Sequence, residues 1–104
     1  MEEVSKTPLE ARRDEVAQYD HNITVLTAIL ATLPSEWPED LTEWRNPKNQ
    51  HTAIDNVPDD RVEDVSRLWL ADETRHRIKT EMVERSKAAA ILAVEESLAG
   101  ELGE

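Results

Sequence analysis

Glycine is almost absent from this 104-residue chain, and its absence limits the folds that the chain can adopt. The two glycines are Gly100 and Gly103, so the first 99 residues contain none. Tight β-hairpin turns need backbone positions with positive φ, which glycine adopts most readily. The sequence therefore predicts an all-α fold, and its length predicts one domain that covers residues 1–104.

The first predicted helix covers residues 8–33. Thr7 is expected to be its N-cap, Pro8 suits the first helical position, and Glu10 completes a capping box. Apolar residues then recur in alternating steps of three and four, which is typical of a helix that packs along another helix. We call this series the seam, and we expect it to lie in the core or in a dimer contact. It consists of Val16, Tyr19, Ile23, Leu26, Leu30 and Leu33.

Val25 and Ile29 lie beside the seam and widen the apolar side of this helix. A wide apolar stripe indicates contact with more than one neighbouring helix. The additional neighbour is expected to be either the tryptophan-containing segment that follows or a second copy of the chain. The pattern thus favours two long antiparallel helices that a homodimer completes as a helical bundle.

The connection between the two long helices contains four of the five prolines and two of the three tryptophans. A short helix is predicted over about residues 37–45, followed by a loop over residues 46–59. Trp37, Leu41 and Trp44 recur at helical spacing, so they share one face of that short helix. Tryptophan is common where proteins bind one another, and acids outnumber bases in this segment. We expect these three residues either to fill the core or to contact a partner protein, which the acids would favour if that partner were basic.

The second predicted helix covers residues 60–99, with Asp60 as its N-cap and Gly100 just beyond its end. A break or bend is expected near residues 72–77, because the apolar pattern becomes sparse there. Local ion pairs four residues apart, such as Glu63 with Arg67, are expected on its solvent-exposed side. The opposite side is expected to lie in the core or in a dimer contact, and its members include Trp69, Val83, Ala90 and Val94.

The chain carries 23 acidic and 12 basic residues, a net charge of −11. This excess disfavours direct binding to nucleic-acid phosphates or to anionic membranes. Regularly spaced acids on a helical protein suggest an alternative, in which the protein imitates the DNA backbone and inhibits a basic DNA-binding protein. No apolar run reaches the roughly 18–20 residues that span a bilayer, and cysteine is absent, so we expect a cytoplasmic protein without disulfides.

Asp72, Glu73 and His76 are the candidate metal ligands. The Glu73-x-x-His76 spacing resembles that of ferritin-like di-iron helix bundles, and a dimer would bring two such half-sites together. The seam of the first helix supplies no matching acid, however. The other interpretation is that Asp72 and His76 form a hydrogen-bonded pair, because polar groups on an apolar helix face need partners.

The sequence contains none of the short motifs typical of catalysis, such as a glycine-rich phosphate loop, a cysteine nucleophile or Gly-x-Ser-x-Gly. It therefore favours a non-enzymatic protein–protein interaction module, an adaptor or regulatory subunit, with no cofactor and no catalytic residue. Its expected partners are a second copy of itself and an unidentified protein. The acidic DNA mimic and the ferritin-like metal-binding dimer remain as alternatives.

Overall fold

The computed structural model of the chain describes residues 7–101. Of these, 81% are helical and none lies in a strand, which confirms the all-α prediction. Two long helices are present, α1 over Pro8–Leu30 and α3 over Val62–Glu101. Between them lie a 3-10 helix over Glu39–Trp44, a short helix α2 over Gln50–Ile54, and a 3-10 turn over Asp59–Arg61.

The beginning of α1 is fixed by Thr7, as its sequence predicts. The backbone N–H of Glu10 donates a hydrogen bond to the Thr7 hydroxyl over 3.1 Å. The same hydroxyl donates to the Glu10 carboxylate over 3.2 Å. These contacts satisfy one of the backbone donors that a helix start leaves unpaired, so this end of α1 is determined locally.

The end of α1 comes at Leu30, three residues earlier than the apolar pattern predicts. Here the backbone N–H of Thr32 donates to the carbonyl of Ile29, three residues back rather than four. The Thr32 hydroxyl donates to the same carbonyl over 2.7 Å. This tightening of the last turn ends the α-helix before Pro34 is reached.

The connection differs from its predicted structure in two ways. The short helix is a 3-10 helix over Glu39–Trp44, and Trp37 precedes it, separated by Pro38. The segment predicted as a loop contains α2, whose N-cap Asn49 accepts hydrogen bonds from two backbone N–H groups. A helix of five residues is too short to show an apolar period, which is why the sequence pattern did not reveal it.

The second long helix is continuous over 40 residues, without the predicted break near residues 72–77. The apolar pattern is sparse there because Thr74 takes a buried position, with its hydroxyl donating to the Leu70 carbonyl over 2.7 Å. Asp60 lies within the 3-10 turn and is not the N-cap of α3. Gly100 lies within the helix and does not end it.

The chain divides into two compact units. We call Leu26–Arg77 the tryptophan unit, since it contains all three tryptophans. The other unit consists of the described residues up to Val25 together with those from Ile78 onward, and we call it the hairpin unit. Both long helices contribute residues to each unit.

The tryptophan unit has a compact apolar core in which Leu41 is 1% exposed and Val65 is fully buried. Val57 and Leu68 complete this buried cluster. Partly buried side chains surround it, namely Trp37, Trp44, Ile54, Val62 and Trp69. The tryptophans thus provide the bulk that phenylalanine, absent from this sequence, would otherwise supply.

The hairpin unit is an antiparallel pair of helix segments. Arg12 of α1 pairs with Glu95 of α3. About two turns further along α1, Asp20 pairs with Arg85, which lies earlier in α3. Because one residue number rises as the other falls, the two segments run in opposite directions. This is the arrangement that the sequence predicts for the two long helices, seen here within one unit.

The seam of α1 faces inward in both units. In the hairpin unit Val16 is buried and Tyr19 and Ile23 are half-buried. In the tryptophan unit Leu26 is buried and Leu30 and Leu33 are half-buried. Val25 and Ile29 remain exposed. Ile29 belongs to the same unit as the tryptophan-containing segment, and that segment leaves it uncovered.

The predicted core position of the apolar face of α3 is wrong in the C-terminal half of the helix, and the alternative, a dimer contact, stays a prediction. Val83, Ala90 and Val94 are exposed and therefore form no core in the described chain. The side that faces α1 is buried or half-buried and follows a 3.5-residue period through Ile78, Glu81, Arg85, Ala88, Leu92, Glu95 and Ala99. The prediction placed the Glu81–Arg85 ion pair on the solvent side and the apolar face opposite to it, whereas Glu81 and Arg85 are half-buried on the side that faces α1.

Substitution of one buried and one exposed leucine tests the assignment of the core of the tryptophan unit. We expect Leu41→Ala to lower the free energy of unfolding by about 2–5 kcal/mol, because it leaves a cavity in a fully buried position. The matched control is Leu70→Ala, at a leucine of the same unit that is 46% exposed, and its cost should be under about 1 kcal/mol. Urea unfolding followed by tryptophan fluorescence measures both. Equal losses would contradict this assignment of the core.

Candidate functional site

Asp72 on α3 is the centre of a polar network in the tryptophan unit. Its carboxylate accepts a hydrogen bond from the Trp37 indole N–H over 2.9 Å and another from Arg75 over 2.8 Å. Arg45 forms a looser ion pair with it, at 3.6 Å. The acid on the apolar side of α3 thus has the partners that its position requires.

The two arginines extend this network into the connection. Arg75 also donates to the backbone carbonyls of Pro34 and Ser35, over 3.1 Å in each case. The Arg45 guanidinium lies 5.9 Å from the centre of the Trp37 ring, within the range of a cation–π interaction. The network therefore attaches the beginning and the middle of the connection to α3.

The residues predicted to contact a partner are mainly structural. Leu41 is 1% exposed, so it cannot present a surface to another protein, and the prediction of a partner contact there is corrected. Trp37 and Trp44 are half-buried against the core around Leu41. The Trp44 carbonyl accepts a hydrogen bond from the Trp69 indole over 2.9 Å. Leu41 and Trp44, three residues apart in the 3-10 helix, share a face that is directed inward, and Trp37 packs on the same core from outside that helix.

The three candidate metal ligands, Asp72, Glu73 and His76, line one open groove of about 580 Å³, together with Asn46, Pro47, Gln50 and Trp69. Within residues 7–101 no group of three His, Asp or Glu side chains is arranged to hold a metal ion. The Asp72 carboxylate already accepts from Arg75 and faces Arg45, so positive charge is present where a cation would bind. The ferritin-like interpretation is not supported by this geometry.

Arg45 and Arg75 were not identified from the sequence as parts of this network. The available signal was Asp72 itself, a charged residue on an apolar helix face that had to find partners. His76, one turn away, was the expected partner of Asp72. Trp37 and Arg75 both donate hydrogen bonds to Asp72, and Trp37 lies 35 residues away in the chain, too far for spacing rules to connect.

A second surface lies on the hairpin unit, on the side of α3 directed away from α1. We call it the outer face, and we define it as Lys79, Val83, Ser86, Ala90, Val94, Ser97 and Glu101. Steps of three and four place these residues on one side of a helix, and all seven are exposed. Val83 is 49% and Val94 is 59% exposed. The large apolar side chains of Met82, Ile91 and Leu98 beside them are also about half exposed.

The inner side of α3 includes three charged residues among its seven, namely Glu81, Arg85 and Glu95. Within the described residues of the hairpin unit, only Val16 and Ala88 are buried apolar residues. Much of the remaining contact with α1 consists of ion pairs, among them Arg85 with Asp20 at 2.6 Å. This hydrogen bond raises the pKa of the Arg85 guanidinium above its ordinary value. Partly exposed ion pairs of this kind contribute about 1 kcal/mol or less, so they set the register of the helices more than they stabilise them.

No family model, curated protein or solved structure matches the chain. Among the helices of residues 7–101, none combines the length and the apolar character needed to cross a bilayer. The two surfaces described above are therefore the basis for assigning a function.

Substitution of two adjacent acidic residues of α3 tests the contribution of the polar network to stability. We expect Asp72→Ala to lower the free energy of unfolding by about 1.5–3 kcal/mol, because it removes a charged hydrogen-bond acceptor from both Trp37 and Arg75. The matched control is Glu73→Ala, at an exposed acid next to it, whose effect should stay within about 0.5 kcal/mol. Urea titration compares the two variants. A loss of equal size in the control would show that the network does not hold the connection.

Proposed function

We propose that this protein is a non-enzymatic protein–protein interaction module, an adaptor or regulatory subunit, and that the outer face of α3 is its contact surface. One observation supports this proposal. In the hairpin unit, α3 exposes Met82, Val83, Ile91, Val94 and Leu98, while the only apolar residue that it fully buries is Ala88. Four of these five side chains, all except Met82, lie within about 80° of one another around the helix, and contiguous exposed apolar surface of this kind is typical of protein contact sites.

Burial of the exposed apolar side chains by a partner would contribute a substantial part of the free energy of binding. Complete burial of a Val, Leu or Ile side chain contributes about 1.5–3 kcal/mol, so the four half-exposed side chains that share one side of α3, Val83, Ile91, Val94 and Leu98, offer roughly 3–6 kcal/mol. Association itself costs at least about 4 kcal/mol in lost translational and rotational freedom. The apolar residues thus provide most of what a weak complex requires, and polar contacts at the margin must supply the rest.

The acidic connection is expected to have a secondary part in binding. Glu36, Glu39 and Glu43 are exposed beside the half-buried Trp37 and Trp44, so they favour a partner that is basic near this segment. Elsewhere several acids already face arginines of the chain itself, as Asp20 faces Arg85 and Asp40 faces Arg61. Acids paired in this way contribute little to an imitation of DNA, which is why we favour a protein contact through an apolar face over the DNA-mimic alternative.

Charged substitutions on the outer face test the proposed function. We expect Val83→Glu combined with Val94→Glu to abolish capture of binding partners, a second copy of the chain included, from an extract of the native host. Both positions are exposed, so the helical circular dichroism spectrum should be unchanged. The matched control adds the same charge at two exposed alanines of α1, Ala17→Glu with Ala28→Glu, and should retain binding.

Affinity capture followed by mass spectrometry measures these outcomes. A protein enriched by the native chain and by the α1 control, but not by the outer-face variant, is the expected result. Enrichment that is identical for all three chains, or absent for all three, would contradict the proposed function.

A further inference from the structure

We infer that the outer face of α3 binds a second copy of this chain, with the two α3 helices antiparallel and crossing at Ala90. This inference depends on the proposed function, because it names the partner that covers the same surface. It is based on the order of residues along the outer face and on two charges at its ends.

The residues of the outer face are spaced symmetrically along the sequence on the two sides of Ala90. Its other members lie 4, 7 and 11 residues from Ala90 on both sides, as the sequence shows. At 100° per residue these offsets return to within about 40° of the Ala90 direction, so all of them remain on one side of a straight helix. In an antiparallel pair centred on Ala90, each residue meets the one at the same distance on the other side.

The residue types match in this register. Lys79 would meet Glu101 of the second copy, which places opposite charges together at both ends of the contact. Val83 would meet Ser97, and Ser86 would meet Val94, so each larger side chain lies against a small one. A large residue opposite a small one lets two helix surfaces interdigitate.

A parallel pair in register would be much less favourable. Each residue would then meet its own equivalent, so Lys79 would face Lys79 and Glu101 would face Glu101. Like charges opposite one another oppose association, and they suppress the wrong arrangement of partners. The arrangement of charge therefore selects the antiparallel pair.

The two terminal charges are available for this contact. Within the described chain, the structure records no ion pair for Lys79 or for Glu101, although both are exposed on α3. Lys87, on the flank of the same face, is already paired with Glu84 at 3.3 Å. Lys79 and Glu101 thus provide complementary charge at the two ends of an apolar surface.

The small area of the outer face limits the expected affinity of the dimer. Residues 79–101 span about 33 Å of helix, and a strip of that length and about 10 Å width is small beside the roughly 800 Å² that each partner buries in a standard interface. We therefore expect a weak, reversible dimer that forms as the protein concentration rises from the micromolar towards the millimolar range. Light scattering should show the mass rising from 11.9 kDa towards twice that value.

Cysteine substitution tests the register directly, because the chain contains no cysteine of its own. Under mild oxidation, Ala90→Cys should form a disulfide-linked dimer, since its two copies meet at the crossing point. Val83→Cys is the matched control, because its two copies would lie about 21 Å apart along the helices, far beyond disulfide reach. Mixed with Ser97→Cys, however, Val83→Cys should form a linked heterodimer. Linkage of Val83→Cys to itself as readily as Ala90→Cys would overturn the inference.

A charge exchange tests the polar ends. Lys79→Glu and Glu101→Lys should each weaken the dimer several-fold, and the two changes together should restore it, because the pair is re-formed with reversed sign. Failure of the double variant to recover would contradict the proposed contact.

The failure of this inference can be separated from that of the proposed function. A chain that remains monomeric at every concentration, while the outer-face variant still loses a different captured protein, overturns only the inference. If the outer-face variant loses no partner at all, both proposals are overturned.

Discussion

The tryptophan unit depends on the Asp72 carboxylate. A charged group on the inner side of a long helix is unfavourable unless it is paired, and here it is bonded to Trp37 and Arg75. Since Arg75 also bonds the carbonyls of Pro34 and Ser35, this one acid positions the chain that follows α1. With the connection held in place, Leu41 enters the core, and the tryptophans enclose it.

The two units of the chain differ in how far their apolar residues are covered. In the tryptophan unit, the larger apolar residues converge on one buried cluster. In the hairpin unit, the charged residues Arg12, Glu95 and Arg85 occupy the contact between helices, while the valines of α3 are exposed to solvent. One unit therefore covers its large apolar residues more fully than the other does.

Sequence patterns predicted the features that depend on neighbouring residues. The cap at Thr7 and the inward side of α1 were predictable because both arise from spacing within one helix. The position of Leu41 and the partners of Asp72 were not, because they require contacts between segments that are far apart in the chain. The inner side of α3 was predicted wrongly beyond Ile78, because Glu81 and Arg85 were expected in solvent, whereas both are half-buried and Arg85 pairs with Asp20 of α1. For the candidate site, the sequence supplied Val83, Ala90 and Val94 as apolar residues, and only the structure showed that they point outward.

The charged groups along the inner side of α3 have a consequence for the way this helix opens. Two of their atoms, Glu81 Oε2 and Glu95 Oε2, and the Nε of Arg12 on α1 are buried without a hydrogen-bond partner in the described chain. Such groups lower the cost of local opening, because water satisfies them when the helices separate. A single continuous helix would thus have two levels of amide hydrogen exchange, slow around Val65 and Leu68 and fast near its C-terminal end. Any protein that covers the C-terminal half would extend the slow-exchanging region along the same helix.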